Sequence, residues 1–280
     1  MSYWHNYGFV PELRLGDRVA LNAWKKVPLS AKAVIVNFCD LTTRGTFRRS
    51  RLPKLKRELA EAKTLVVSCI GPDELLDHIS VEKLHETAIR LDADWVVTPD
   101  DYVYEADGGY PFYQDSHFSR SILRALQLFR MSRGRYGIIA LAIGSSPSQL
   151  QEFVTTMEEQ GINDFAFACG DLLKQGGNLK RTTREIRGFI DNLKAAKHSC
   201  LLLGIDSPRF LRMLAPDSWT SSAWSIDASH WRYYAKDGTP RKSKRIACDH
   251  DICKSGETAG MELFAVHNLL ANRELLAERD

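Results

Sequence analysis

The run Tyr136-Gly-Ile-Ile-Ala-Leu-Ala-Ile143 contains no charged side chain and is apolar on both faces of an extended chain. Strands of this kind are typical of a parallel sheet that helices cover on its faces. The amphipathic stretch Ser148–Gln160 follows it, and a second apolar run, Phe165–Cys169, comes next. This order of strand, helix and strand predicts an α/β fold.

The same alternation of predicted strands and helices extends along most of the chain. Further strand candidates are Ala33–Phe38, Thr64–Cys69, Trp95–Pro99, Cys200–Ile205 and Ala223–Ile226, with an eighth unit around Arg245–Ala247. The other helical stretches are Lys54–Ala62, Leu75–Leu91, Phe118–Met131, Arg181–Ala196, Arg209–Leu214 and Gly260–Glu278. Eight such units in 280 residues predict a (β/α)8 TIM-like barrel. A doubly wound open sheet is the alternative, although no Gly-x-Gly-x-x-Gly follows the first strand.

The first 30 residues do not follow this alternation of strands and helices. We expect an irregular start at residues 1–30, with Gly16-Asp17 as a turn between the short β segments Leu13–Leu15 and Val19–Trp24. Because no Pro/Gly/Ser-rich linker interrupts the chain, we predict one domain over residues 1–280 that ends in the loop and helix of residues 245–280.

Composition favours a cytoplasmic protein without a membrane segment. The hydrophobic fraction of 44% and the charged fraction of 26% are ordinary for a globular protein. Four of the six cysteines stand singly in or beside apolar runs, a pattern of reduced thiols rather than of a secreted disulfide framework. No run approaches the roughly 20 apolar residues that span a bilayer, and the N-terminus has no signal-peptide pattern.

The remaining two cysteines belong to a predicted zinc site. Cys248-x-His250-x-x-Cys253 places three ligand types on a tight loop, and His267 follows on a predicted helix. Two thiolates and two imidazoles are the ligand set of a tetrahedral zinc ion. Since all four positions come from the protein, the Zn2+ would be structural and would hold the last helix to the barrel. Incidental thiols and surface histidines on a loop are the alternative.

Carboxylates follow several of the predicted strands. In a barrel these residues converge on the face where catalysis takes place. A carboxylate there can attack an electrophilic carbon or transfer a proton. The alternative for each one is an N-cap of the next helix. The candidates are Asp40, Asp100, Asp101, Asp171, Asp206 and Asp227.

Basic residues cluster after two of the strands, although the net charge is only +3. Such a rim would attract a polyanion, and aromatic residues beside it can stack on unpaired bases. Solvated helix faces are the alternative. The first cluster is Arg44, Arg48, Arg49, Arg51, Lys54, Lys56 and Arg57; the second is Lys236, Arg241, Lys242, Lys244 and Arg245, near Trp231, Tyr233 and Tyr234.

Several motifs resemble the tRNA-guanine transglycosylase superfamily over roughly residues 33–275. Cys248-x-His250-x-x-Cys253 with His267-Asn-Leu resembles the family's zinc motif, with an imidazole in place of its middle thiolate. Ser225-Ile-Asp227 falls where the family's nucleophilic aspartate stands. Asp227-Ala-Ser-His-Trp231 is closer to the branch that inserts 7-deazaguanine bases into DNA than to the tRNA enzymes.

The resemblance implies roles for the other candidates. Asp100 would bind the guanine-like edge of the exchanged base, Asp40 or Asp101 would move protons, and Trp231 would assist base flipping. Cys169-Gly170-Asp171 resembles the loop that lines the base pocket. The nucleic acid would contact Arg44, Arg48, Arg49, Lys242, Lys244 and Arg245. The implied reaction replaces guanine in DNA with a base such as preQ0; a homodimer or partner proteins of a DNA-modification system are further expectations.

Departures from the family motifs keep two rival hypotheses open. The tRNA enzymes have Asp-Ser-Gly-Gly-Phe where this chain has Asn37-Phe-Cys-Asp40, so the second catalytic carboxylate is either Asp40 or absent. A Gln-Gly-Gly is replaced by Ile143-Gly144-Ser145. The rivals are a transglycosylase that acts on tRNA and a non-catalytic paralogue that binds nucleic acid. The closed ligand set speaks against a third hypothesis, a metal-dependent hydrolase.

Overall fold

A computed structural model of the protein describes just over half of the chain, almost all of it before residue 205. The described residues are 10–13, 16–28, 32–43, 46–70, 80–99, 101, 104–107, 110–113, 115–143, 147–168, 184, 187–193, 196–204 and 220–221.

A parallel sheet of eight strands forms the centre of the fold. The strands are β1 (Glu12–Leu13), β2 (Ala33–Asn37), β5 (Thr64–Ser68), β6 (Trp95–Val97), β9 (Gly137–Ala142), β10 (Asp164–Ala168), β11 (Ser199–Leu203) and β12 (Thr220–Ser221). Two antiparallel hairpins stand apart from this sheet: β3 (Thr42–Thr43) with β4 (Thr46–Phe47), and β7 (Tyr104–Asp107) with β8 (Tyr110–Tyr113).

The strands of the main sheet lie in their order along the chain, and every neighbouring pair is parallel. A doubly wound sheet reverses its strand order at a switch point, and the described strands show no reversal. The sheet is curled, as in part of a barrel. Within the described residues, no ladder joins β12 back to β1.

Helices accompany the sheet in the described part of the chain: α1 (Arg18–Lys26), α2 (Leu52–Glu58), α3 (Val81–Leu91), α4 (Asp115–Ser132) and α5 (Pro147–Glu159). Residues 187–193 are also helical. The strand interiors and the inner helix faces form one apolar core. The α/β prediction is therefore confirmed, and most predicted elements within the described residues match the observed ones within a few residues.

The N-terminal prediction is wrong for residues 18–26, which form α1. The expected β segment Val19–Trp24 lies inside α1, because Asp17 caps the helix through a hydrogen bond of 2.9 Å from the Ala20 amide. Ala20, Ala23 and Trp24 recur at helical spacing and are buried. The turn at Gly16 was correctly expected, and Leu13 of the expected β segment Leu13–Leu15 lies in β1. The φ of Gly16 is 93°, a left-handed conformation that glycine adopts readily.

The other end of α1 is held by a buried lysine. The Lys32 ammonium group donates to the carbonyl oxygens of Trp24 and Lys25, at 2.8 and 2.6 Å, and lies 4.7 Å from the centre of the Trp24 indole ring. Helix C-termini leave carbonyl groups without intrahelical partners, and a cation there satisfies them. This contact fixes α1 against the start of β2.

Candidate functional site at the carboxyl edge of the sheet

Buried polar side chains end three neighbouring strands of the sheet. Asn37 ends β2, Ser68 ends β5 in register with it, and Thr98 follows β6. Each is at most 2% exposed. The carboxyl ends of parallel strands lie at one edge of a sheet, where enzymes of this architecture place their active sites. This edge is therefore the candidate functional site.

Asn37 is hydrogen-bonded at both ends of its side-chain amide. Its Nδ2 donates to Oε1 of Glu12 at 2.9 Å and to the carbonyl oxygen of Ile70 at 2.5 Å. Its Oδ1 accepts from the backbone amide of Cys39 at 3.0 Å. Glu12 is 1% exposed and stands on β1 among apolar residues. A carboxylate that no sequence motif indicated therefore lies beside Asn37.

Asp40 lies on a short turn that follows Asn37. Phe38–Leu41 forms a 3-10 helix, and Asp40 is its half-buried residue. Arg51 donates from Nη1 to the carbonyl oxygen of Asp40 at 3.2 Å, and the amide of Arg48 donates to the carbonyl oxygen of Leu41 at 2.7 Å. Two members of the first basic cluster, Arg48 and Arg51, thus contact the turn that carries this predicted catalytic residue.

A cavity of about 270 Å³ lies between the start of α1 and the length of α2, from Arg51 to Leu59. Arg18, Arg51 and Lys54 contribute positive charge to its lining, while Asp17 and Glu58 contribute negative charge. Because Arg51 also contacts the backbone of Asp40, the cavity adjoins the candidate site.

Asp101 is buried in a cluster of basic side chains. Arg120 binds both of its carboxylate oxygens, Nε to Oδ2 and Nη2 to Oδ1, each at 2.5 Å. His117 Nδ1 lies 3.3 Å from Oδ1, and Arg124 Nη1 lies 3.6 Å from Oδ2. The three basic residues are spaced three and four apart on α4, so they share one helix face. That spacing was visible in the sequence, but it did not reveal their partner.

The two described arginines of the predicted nucleic-acid contacts differ in their surroundings. Arg48 is exposed. Arg49 donates to Glu86 of α3 at 2.6 Å, and Arg90 donates to the same carboxylate at 2.7 Å. Partial burial raises the pKa of Glu86, but the hydrogen bonds from Arg49 and Arg90 outweigh this effect and leave the pKa below its ordinary value. Arg49 therefore already has an anionic partner within the protein.

The remaining predicted site residues lie outside the described residues. They are Arg44, Asp100, Cys169, Gly170, Asp171, Asp227, Trp231, Lys242, Lys244, Arg245, Cys248, His250, Cys253 and His267. Among the residues that the structure does describe, no three His, Cys, Asp or Glu side chains group as a metal site would require. The zinc ligands and the nucleophile thus remain predictions.

No protein-family model matches the chain, and no curated protein is detectably similar to it. In the described part of the chain, none of the helices has the length and apolar character needed to cross a bilayer.

Proposed function

We propose that the protein is a base-exchange transglycosylase that replaces guanine in DNA with a 7-deazaguanine base such as preQ0. The observation that carries the proposal is the position of Asp40 and Asp101 at the carboxyl edge of a parallel sheet whose strands follow chain order. That arrangement suits a barrel enzyme, and the resemblance of Ser225-Ile-Asp227 and the cysteine–histidine motif supplies the reaction.

The proposal includes a closed eight-stranded barrel and a structural zinc ion. Eight parallel strands are described, and the segment Arg245–Ala247, which the sequence predicts as a further strand, lies outside the described residues. Cys248, His250, Cys253 and His267 would hold the zinc; two thiolates and two imidazoles suit its tetrahedral coordination. The bound ion would supply stability to the C-terminal loop and helix rather than chemistry.

Asp227 would act as the nucleophile. Its carboxylate oxygen forms a bond to C1′ of the target nucleotide while the bond from C1′ to N9 of guanine breaks, and guanine takes up a proton at N9. The incoming base then loses its N9 proton and attacks C1′, which releases the Asp227 carboxylate. Two inversions at C1′ give net retention, as in retaining glycosidases.

Asp40 is better placed than Asp101 to transfer these protons. Both oxygens of Asp101 accept hydrogen bonds from Arg120, so a substrate would have to displace this guanidinium group to reach either oxygen. Asp101 would then serve as a fixed anion next to Asp100. Asp40 is half-buried on its turn, where a proton carrier can reach both substrate and solvent.

One observation favours the non-catalytic alternative. Asn37 stands where the tRNA-guanine transglycosylases carry a carboxylate, and its amide is fully engaged with Glu12, Ile70 and Cys39. In a paralogue that only binds nucleic acid, the edge would keep this buried network without using Asp40.

Incorporation of labelled preQ0 or guanine by the purified protein tests the proposal, with plasmid DNA and bulk tRNA in parallel. We expect label in DNA, none in tRNA, and none with Asp227→Asn. Glu159→Gln, which removes an exposed carboxylate on α5, is the matched control and should incorporate label normally. Label in tRNA alone would establish the tRNA enzyme, and binding without label in either substrate would favour the paralogue.

A further inference from the structure

A series of hydrogen bonds leads from the buried Glu12 to the turn that carries Asp40. Glu12 accepts from Nδ2 of Asn37, and Oδ1 of Asn37 accepts from the backbone amide of Cys39. Cys39 precedes Asp40 within the 3-10 helix Phe38–Leu41. Two side chains on neighbouring strands are thereby connected to a backbone position one residue from the predicted proton carrier.

Glu12 and Ile70 determine which way the Asn37 amide points. Nδ2 faces two acceptors, the Glu12 carboxylate and the Ile70 carbonyl oxygen. If the amide were flipped, Oδ1 would face both of these oxygens, and Nδ2 would face the donor of Cys39. Only the observed orientation presents an acceptor to the turn.

The turn needs this acceptor because it is short. A four-residue 3-10 helix makes few hydrogen bonds of its own, and its first amide groups have no partner within it. Asn37 satisfies the amide of Cys39 on one side of Asp40. On the other side, Arg51 donates to the carbonyl oxygen of Asp40 itself. The backbone around Asp40 is thus held from two directions.

We propose that Glu12 and Asn37 are positioning residues that hold the turn of Asp40 at the carboxyl edge of the sheet. The carboxylate that the tRNA-guanine transglycosylases carry at the end of this strand is absent, and the buried carboxylate of Glu12 on the neighbouring strand orients the amide that replaces it. The role of Asp40 in proton transfer rests on the proposed function; the contacts that hold its turn do not.

The contact between Asn37 and Glu12 predicts that Asn37→Asp harms the site, although this substitution restores the carboxylate of the tRNA-guanine transglycosylases. The new oxygen would face the Glu12 carboxylate and the Ile70 carbonyl, so the variant should release the turn instead of improving the site. Adding Glu12→Gln should reverse part of this effect, because the glutamine amide can donate to the introduced carboxylate. Glu12→Gln alone should change little, since its Oε1 still accepts from Asn37.

Thiol labelling of the folded protein tests the positioning role without any assay of activity. Cys39 is buried on the turn, and Cys200 is buried on β11, far along the sheet. Buried thiols react through local opening. Iodoacetamide labelling, quantified for each cysteine by peptide mass spectrometry, should be about tenfold faster at Cys39 in Asn37→Asp, as loss of roughly one hydrogen bond predicts. The rate at Cys200 should not change.

The double variant Glu12→Gln/Asn37→Asp should label Cys39 at a rate between those of the wild type and Asn37→Asp. Unchanged labelling of Cys39 in Asn37→Asp, or equal rates in the single and double variants, would overturn the proposal. If Asn37→Asp does not fold, Glu12→Met removes the acceptor without adding a charge. Glu12→Met should also increase the labelling rate of Cys39 relative to that of Cys200. An equal increase at both cysteines would overturn the positioning role in favour of a purely structural one.

Activity provides the second readout. For Asn37→Asp we expect kcat for base exchange to fall about tenfold with KM for DNA unchanged, and the double variant to recover part of kcat. Glu159→Gln is again the matched control. Absence of exchange by the wild type would overturn the proposed function and leave the labelling result standing. Exchange with unchanged kcat in Asn37→Asp would overturn the positioning role alone.

Discussion

Arg120 binds both carboxylate oxygens of Asp101, and this bidentate salt bridge joins the end of a strand to a helix. Asp101 follows β6 and is 2% exposed, while Arg120 belongs to α4 and comes after the β7–β8 hairpin in the chain. The side chain of Arg120 is 37% exposed. Because one partner is fully buried, the pair differs from the exposed ion pairs of α2 and α3.

Removal of the guanidinium should therefore destabilise the protein. Arg120→Ala removes both short contacts from a buried carboxylate, and the contacts to Arg124 and His117 that remain are longer. We expect the free energy of unfolding to fall by about 3 kcal/mol. Urea denaturation followed by circular dichroism measures this change. The matched control is Arg130→Ala, on an exposed position of the same helix, which should cost under about 0.5 kcal/mol. An equal loss of stability in Arg120→Ala and Arg130→Ala would contradict the conclusion that the salt bridge between Arg120 and Asp101 stabilises the protein.

Gly137 makes room for an aromatic ring of the neighbouring strand. A Cβ at this position would overlap the indole ring of Trp95, which is 7% exposed. Gly137→Ala should therefore lower the free energy of unfolding by about 1 to 3 kcal/mol. The penalty should shrink by more than half in a Trp95→Val background, because the smaller side chain leaves space.

Gly188 provides the control for this double-variant experiment. It stands in the helical segment 187–193, and a Cβ added there would meet no atom within 4 Å. Gly188→Ala should stabilise the protein by up to about 1 kcal/mol through helix propensity. A Gly137→Ala penalty that is the same with and without Trp95 would show that the ring is not its cause.

The long apolar strands could be predicted from the sequence because burial on both faces leaves a continuous signal. Thr64–Cys69 and Tyr136–Ile143 were expected, and Thr64–Ser68 and Gly137–Ala142 are observed. β1 was predicted only in part, since the expected segment Leu13–Leu15 shares Leu13 with it but does not include Glu12. It has two residues, one of them Glu12, and it is a strand only because it pairs with β2.

The sequence could predict those site residues that directly follow a strand. Asp40 and Asp101 were selected because each follows an apolar run. Two other contacts at this edge were not predictable: Arg120 lies 19 residues from its partner Asp101, and Glu12 lies 25 residues from its partner Asn37. Contacts of this kind depend on how strands and helices pack, and no local pattern encodes them. For the same reason, the sequence did not indicate that Arg49, a predicted nucleic-acid contact, pairs with Glu86, 37 residues away.

His85 should make stability depend on pH. Its Nδ1 shares a hydrogen bond of 2.7 Å with the buried Tyr136 hydroxyl group, and burial, followed by the charge of Arg135, holds the pKa of His85 below 6.5. The unfolded chain therefore binds a proton more readily than the folded protein as pH falls below 6.5. The free energy of unfolding should then decrease, by at most about 1.4 kcal/mol per pH unit for one proton.

Urea denaturation at several pH values between about 5.5 and 7.5 measures this dependence. Below the ordinary histidine pKa, the free energy of unfolding should change less steeply with pH in His85→Gln than in the wild type, because the variant lacks the contribution of His85. Tyr136→Phe keeps the histidine and should keep most of the slope, although it loses the hydrogen bond. A His85→Gln variant with the full slope of the wild type would assign the pH dependence to other groups.

Arg48 and Arg49 should contribute unequally to DNA binding if the proposed function is correct. Arg48 is exposed beside the turn of Asp40, whereas the guanidinium of Arg49 donates to Glu86 and would have to exchange this partner for a phosphate. Each phosphate contact contributes about 0.9 to the slope of log K against log salt concentration. Arg48→Ala should reduce the slope by about this amount, and Arg49→Ala should reduce it less.

Fluorescence anisotropy of a labelled duplex, titrated at several salt concentrations, measures both slopes. Lys26→Ala serves as the control: it removes an exposed cation at the end of α1, next to the amino edge of the sheet, and should leave the slope unchanged. Arg49→Ala should also lower the free energy of unfolding by no more than about 1 kcal/mol, as expected for an exposed ion pair. If Arg49→Ala reduces the slope as much as Arg48→Ala, phosphate competes successfully with Glu86, and Arg49 binds DNA despite its ion pair.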